Sequence, residues 1–179
     1  VPVSGLTLKE KAMATVSLLE SGVAINDLNC VRKHLSAIKG GRLAIAAGGR
    51  VITLAISDVV GPVENDPAVI GSGPTTADPT SFEEALDLCR SVNSRSSIPS
   101  SVMSVLQRGI QGELEETPGV GDARLARSVY QIIGSRKNAI AGAAREARRR
   151  GFEVLVIEEP LVGEARVAGD LYVKTVARL

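Results

Sequence analysis

The chain has 179 residues, 44% of them hydrophobic and 23% charged, with a formal net charge of +1. That length holds one domain with a real core and is short for two. Near-neutral charge and four aromatic residues (Phe82, Tyr130, Phe152, Tyr172) leave no basic groove or stacking platform for single-stranded nucleic acid, so no nucleic-acid partner is expected.

The two cysteines, Cys30 and Cys89, lie far apart and form no C-x-x-C, and His34 is the single histidine. They read as reduced, buried thiols of a cytoplasmic protein and exclude a disulfide framework or a zinc site. No apolar run approaches the roughly 20 residues a membrane helix needs, so no membrane partner is expected. Val1–Gly5 does not read as a signal peptide. The chain starts without Met, and Val176–Leu179 reads as mid-helix, so both ends are expected to be cut.

Thr7-Leu8-Lys9-Glu10 is a capping box that opens a helix running to about Gly22, with Ala12, Val16 and Leu19 spaced to face a core. A second helix is expected from Asn26, with Leu28, Val31 and Leu35 inward. Gly40-Gly41 breaks it, and a short helical piece begins at Arg42. Val51–Ser57 is apolar and β-branched, the pattern of a strand buried on both faces of a parallel sheet. Residues 58–80 follow as a long loop. Ser81-Phe82-Glu83-Glu84 is a second capping box, with Phe82, Ala85, Leu86 and Cys89 on one face. Pro99 suits the first turn of a helix through Val102, Val105 and Leu106. Residues 111–127 read as an exposed excursion. A second strand (129–133), a helix with Ala139, Ile140, Ala143 and Ala147 inward, a third strand (153–157) and a last helix from about Gly163 complete the chain. Arg148-Arg149-Arg150 falls at a helix C-terminus, where the dipole and solvent account for it. Strand, helix, strand predicts a single α/β domain over residues 1–179, three-layer α/β/α with a mainly parallel, Rossmann-like sheet that is incomplete.

Ligands of open parallel sheets bind beyond the carboxyl ends of the strands. The first such end, Ser57-Asp58, enters a loop with Glu64, Asp66 and Asp78, the glycines Gly61, Gly71 and Gly73, and the hydroxyls of Ser72, Thr75 and Thr76. Carboxylates beside backbone-exposing glycines suit a magnesium–phosphate complex, and turn chemistry in a surface loop is the alternative. The second end, Gly134-Ser135, opens a helix whose N-terminus would attract an anion. Arg32, Lys33, His34, Lys39 and Arg42, with Gly40-Gly41, form a dense basic stretch. It suits a clamp for a carboxylate or phosphoryl group, or else a solvated helix face. No G-x-x-x-x-G-K-[ST], no G-x-G-x-x-G after a strand and no G-x-S-x-G is present.

Residues 29–44, N-C-V-R-K-H-L-S-A-I-K-G-G-R-L-A, resemble the N-x-V-R-K-H-L-S-x-x-K-G-G-x-L-A stretch of the glycerate 2-kinase family, which joins a DUF4147 domain to a MOFRL domain. Ser57-Asp58-Val59 through Asp66-Pro67, then Ile70-Gly71-Ser72-Gly73-Pro74-Thr75 and Asp78-Pro79, resemble its S-D-V-x-G-D…I-x-S-G-P-T-x-x-D-P stretch. Glu116-Thr117-Pro118 and Gly163-Glu164-Ala165-Arg166 match two shorter motifs. The resemblance implies transfer of the ATP γ-phosphoryl group to the 2-hydroxyl of D-glycerate, with Mg²⁺. It implies catalytic roles for Arg32, His34, Lys39 and Asp58. Lys33, Ser36, Gly40, Gly41, Ser57, Asp66, Ser72, Gly73, Pro74 and Thr75 would bind substrate or nucleotide, and Asp58 and Asp66 would hold the metal. The family's catalytic lysine, its S-G-G-x-S loop and the MOFRL domain do not fall within these residues and are the expected partners, along with a homo-oligomer. The family places an Asp directly after the Gly of S-D-V-x-G-D. Here Gly61 is followed by Pro62, so either Glu64 or Asp66 takes the acidic role.

Overall fold

The computed structural model describes residues 1–60, 63–92, 97–160 and 163–178. Two compact units are present, Val1–Gly134 and Ser135–Leu179.

The first unit is built on helices α1 (Leu8–Glu20), α2 (Ile25–His34), α3 (Arg42–Ala47), α4 (Phe82–Val92) and α5 (Ser100–Ile110), with strands β1 (Ile52–Ser57) and β2 (Val129–Ser135). Both capping boxes form. The Thr7 hydroxyl accepts from the Glu10 amide, and Glu10 accepts from the Thr7 amide. Ser81 and Glu84 repeat the exchange. The core joins α2, α4 and α5 through Leu28, Val31, Leu35, Phe82, Ala85, Leu86, Val102, Val105 and Leu106, the faces the periodicity predicts. Cys30 and Cys89 are free and lie in the same core, and burial pushes the Cys89 thiol up to about 12.

β1 and β2 pair in parallel, the amide of Val129 donating to Val51 at the start of the ladder. The chain is therefore α/β with parallel pairing, as its sequence predicts. β1 is not buried on both faces, however. Ala55 and Ser57 point inward, whereas Ile52, Leu54 and Ile56 are 61%, 60% and 78% exposed. An apolar strand tolerates two covers, but composition does not supply the second one.

α1 also turns a different face inward. Lys11, Ala14, Ser17 and Leu18 are buried, while Val16 and Leu19 are more than half exposed. The helix carries two apolar stripes at helical spacing, and the core takes the one that includes a lysine. The 58–80 segment is not structureless. A 3-10 turn spans Ile70–Ser72, and three backbone bonds tie residues 40–43 to it: Gly40 to Ser72 (3.1 Å), Gly41 to Gly73 (2.7 Å) and Leu43 to Pro74 (3.1 Å). The 111–127 excursion is anchored by buried Thr117.

The second unit contains α6 (Arg136–Arg149), capped by Ser135, and α7 (Ala165–Val176). Only Ala144 of α6 is buried, in place of the expected Ala139, Ile140, Ala143 and Ala147. Arg149 and Arg150 close on Glu146 at the helix end, consistent with a solvated terminus. Residues 153–157, expected as a third strand, run without ladder hydrogen bonds to any described strand. A short apolar run does not choose its neighbour by itself, and without a neighbour it is not a strand. No helix among the described residues is long and apolar enough to cross a membrane.

Candidate functional site

The basic stretch divides into two groups once its partners are known. Lys33, His34 and Arg42 are committed to the frame. Lys33 Nζ lies 3.1 Å from Asp78 Oδ1, with side-chain exposures of 6% and 0%. His34 is fully enclosed. Its Nδ1 meets the Cys30 carbonyl at 2.8 Å and its Nε2 meets Glu116 Oε1 at 2.9 Å. A carbonyl and a carboxylate both accept, so both ring nitrogens donate and the imidazole is protonated. Arg42 donates to the carbonyls of Lys33 (3.2 Å), Ser36 (2.8 Å) and Glu115 (2.7 Å). It thereby caps the end of α2 and holds the 115–118 segment.

His34, to which the resemblance gives a catalytic role, has no free nitrogen and no access to solvent. Lys33 and Ser36 are likewise enclosed. The Ser36 hydroxyl accepts from the Ile38 amide (3.4 Å) and donates to the Val1 carbonyl (3.3 Å). Gly40 and Gly41 have φ of +55° and +79°, and a Cβ on Gly41 would stand 2.6 Å from Pro118 and 2.9 Å from the Thr76 carbonyl. Their lack of side chains serves this close approach.

The His34–Glu116 pair sets a pH dependence. Burial alone would lower the His34 pKa, but the bonds to Cys30 and Glu116 outweigh it and raise it from 6.5 to about 9. Burial works to raise the Glu116 carboxyl, but the bonds from His34 and from the Phe82 and Thr117 amides hold it below its ordinary value. The His34 contribution is complete below the unfolded value of 6.5 and is lost as pH rises towards 9. The Glu116 contribution is lost as pH falls below the carboxylate range. Denaturant titrations should therefore show stability declining by about 2 kcal/mol between pH 6.5 and 9, after allowance for the half-exposed carboxylate. Glu116→Gln should flatten that slope. An unchanged slope would mean the imidazolium is not sustained by Glu116.

Arg32 and Lys39 remain. Arg32 donates to Asn29 Oδ1 (3.3 Å), and Lys39 Nζ donates to the Gly71 carbonyl. Neither meets a carboxylate. Burial, then the positive charge of Arg32, lower the Lys39 pKa. Lys11, which the helical spacing of α1 concealed, is a further cation on the inward face of α1. It is 9% exposed, and burial followed by the charges of Lys39, Arg32 and Arg42 brings its pKa down to about 8. No described group pairs with its ammonium. A polar residue on the Ala14–Leu18 stripe was the signal that could have marked it.

The 70–75 turn sits against this group. The Ser72 hydroxyl donates to Asn29 Oδ1 (2.9 Å), and Gly71, Ser72 and Gly73 all have positive φ. Such backbone in a non-glycine residue persists only where its surroundings hold it. The amides of Ser72 and Gly73 are taken by Val69 and Ile70, Pro74 has none, and the Thr75 hydroxyl bonds Thr53 at 2.7 Å. Ser57 is buried, its hydroxyl accepting from the Val59 amide (3.2 Å). Asp58 is exposed at the carboxyl end of β1, with no hydrogen bond or ion pair to a described group. Asp66 Oδ1 accepts from the Ala68 amide (2.9 Å), and Gly61 lies outside the described residues. Among the described residues no three His, Cys, Asp or Glu side chains converge. Magnesium asks for one or two protein carboxylates and fills its other positions with water and phosphate oxygens. The free carboxylate of Asp58 and the second oxygen of Asp66 fit that demand.

Arg32 at the end of α2 and Lys39 in the loop after it thus lie beside a glycine-rich turn, neither paired with a described carboxylate. The chain belongs to the DUF4147 family (Domain of unknown function), whose model matches residues 1–107. It is 38% identical over 161 residues to the glycerate 2-kinase of Pyrococcus horikoshii, covering 87% of this chain and 34% of that protein. It is also 38% identical over 156 residues to a putative hydroxypyruvate reductase of Agrobacterium vitis, covering 87% of this chain and 33% of that protein. The crystal structure of glycerate kinase from Thermotoga maritima superposes with a TM-score of 0.73 at 33% identity, over 97% of this chain and 38% of that one. The chain thus spans about a third of the length of these relatives.

Proposed function

We propose that this chain is part of a glycerate 2-kinase, which transfers the ATP γ-phosphoryl group to the 2-hydroxyl of D-glycerate and gives 2-phosphoglycerate and ADP. The observation that carries the reading is the 38% identity to glycerate 2-kinase over 87% of the chain. Phosphoryl transfer asks a protein mainly for positioning and charge neutralisation. Arg32 and Lys39 supply uncommitted positive charge for the glycerate carboxylate or the moving phosphoryl group. Asn29 holds Arg32 and the Gly71 carbonyl holds Lys39, and Lys33, His34, Ser36, Gly40 and Gly41 form the frame behind them. Asp58, with Asp66 as second ligand, would hold Mg²⁺, which when bound neutralises phosphate charge. The lysine loop and the MOFRL domain complete the site from elsewhere in a protein of the relatives' length.

In such a protein carrying this chain, D-glycerate should be required for ADP formation from Mg-ATP. Asp58→Asn should lower that rate at least tenfold, about 1.4 kcal/mol, and raise the Mg²⁺ concentration needed for half-maximal rate. Full activity with unchanged metal dependence would remove Asp58 from the metal. A hydroxypyruvate reductase is the second reading, favoured by the name of the Agrobacterium relative. It predicts nicotinamide oxidation with hydroxypyruvate and no ADP formation, although no G-x-G-x-x-G follows either strand.

A further inference from the structure

We infer that Asn29 is a positioning residue that sets Arg32 to receive the carboxylate of the substrate. Its Oδ1 fixes Arg32 and the 70–73 turn together, and because that oxygen is neutral it leaves the guanidinium charge unspent. This role rests on the kinase reading, which names the carboxylate that arrives.

Asn29 stands in the interior of α2 at 4% exposure. Asn is a poor helix former, and a buried amide costs free energy unless its polar atoms are bonded. Its Oδ1 accepts from two sides, from the Ser72 hydroxyl at 2.9 Å and from Arg32 Nη1 at 3.3 Å. A guanidinium only donates, so the atom that faces it is the oxygen and the amide has one orientation. Ser72 is 2% exposed with a φ of +63°, and its carbonyl accepts from the Gly40 amide at 3.1 Å. The preceding carbonyl, of Gly71, accepts from Lys39 Nζ. Both uncommitted cations are thus referred to one turn, and Asn29 joins that turn to α2.

Arg32 is half-buried, and the bond to Asn29 is the one it makes among the described residues. With Nη1 tethered, Nε and Nη2 remain, and neither is an enclosed atom without a partner. The N–H groups along that edge are parallel and match the two oxygens of a carboxylate. An Asp at position 29 would offer acceptors for the same two contacts but would also pair with the guanidinium and compete with substrate. The amide does the first without the second.

Steady-state kinetics on a protein of the relatives' length carrying this chain provide the test, with Asn29→Asp, Arg32→Met, their double variant and Ser72→Ala. Asn29→Asp should raise the KM for D-glycerate about tenfold and leave kcat and the KM for ATP within about twofold, because a contact to the carboxylate is the same in ground and transition states. A residue that only supports the fold would be rescued by Asp, so an unchanged glycerate KM overturns the assignment. In the Arg32→Met background, the same change should alter that KM by less than about twofold, since it acts through the guanidinium. The full effect persisting there overturns the assignment as well. A loss confined to kcat or to the KM for ATP would place Arg32 on the phosphoryl group and overturn the carboxylate. Ser72→Ala removes a single oxygen and decides the matter if Asn29→Asp does not fold. It frees one side of the junction and should raise the glycerate KM about threefold, and an unchanged KM overturns the role of Asn29. If the unaltered protein forms no ADP with glycerate, the kinase reading falls and this role with it. If the unaltered protein is active and the variants match it, the role alone falls.

Discussion

Lys33→Met is expected to lower the free energy of unfolding by about 3–5 kcal/mol, and the melting temperature by on the order of 10 °C. The cost comes from what stays behind. Asp78 has a side chain with no exposure, and its Oδ1 accepts from Lys33 at 3.1 Å, from the Thr80 amide at 3.0 Å and from the Thr80 hydroxyl at 2.7 Å. Its Oδ2 has no hydrogen-bond partner even with the lysine present. Removing the cation leaves a carboxylate in a dry setting with half of its acceptors idle. The double variant Lys33→Met/Asp78→Asn removes both charges and should recover more than half of the loss. Urea titrations at pH 7 measure both. A single-variant loss below about 1 kcal/mol would place the pair at a solvated surface instead.

Gly109→Ala should cost about 3 kcal/mol, the upper end of the range for overpacking. A Cβ at this position would stand 2.3–2.5 Å from three ring atoms of Phe82, closer than any van der Waals contact permits. Phe82 has little room to retreat. It is 2% exposed, its ring meets the edge of His34 at a centroid distance of 4.9 Å, and the Arg42 guanidinium lies 5.9 Å from its centroid. In an open helix the same change is favourable by roughly 0.5–1 kcal/mol. Gly142→Ala in α6 is the internal control, since nothing lies within 4 Å of its added carbon. Phe82→Leu combined with Gly109→Ala should cost less than the sum of the two single changes, because they compete for one space. Additive losses would show that the ring yields by another route.

Much of the helical core was legible because its residues obey one period and have one face to bury. Leu28 and Val31 of α2 with Leu35 at its C-cap, and Phe82, Ala85, Leu86 and Cys89 of α4, leave no second choice. α1 offered two stripes, and the choice between them depends on neighbours far along the chain. Residues 153–157 look like β2 in composition, but strands are made by partners, which periodicity does not name. The basic stretch shows the same limit. Its density of cations is plain, but which of them are consumed depends on Asp78, 45 residues beyond Lys33, on the Glu115 carbonyl, 73 beyond Arg42, and on Glu116 beside Thr117. Only those long-range contacts separate the frame from Arg32 and Lys39.

The two core cysteines turn the fold into its own clock. Cys30 is 3% exposed and Cys89 not at all, and a thiol that ionises near 12 offers almost no thiolate at neutral pH. Alkylating reagents should therefore leave the intact molecule unlabelled and capture each sulfur only when the helices around it separate. Mass spectra taken along a labelling time course would report how often α2 and α4 part company, with no engineered probe. The charge and glycine variants above could be ranked by the same reaction in unfractionated extracts.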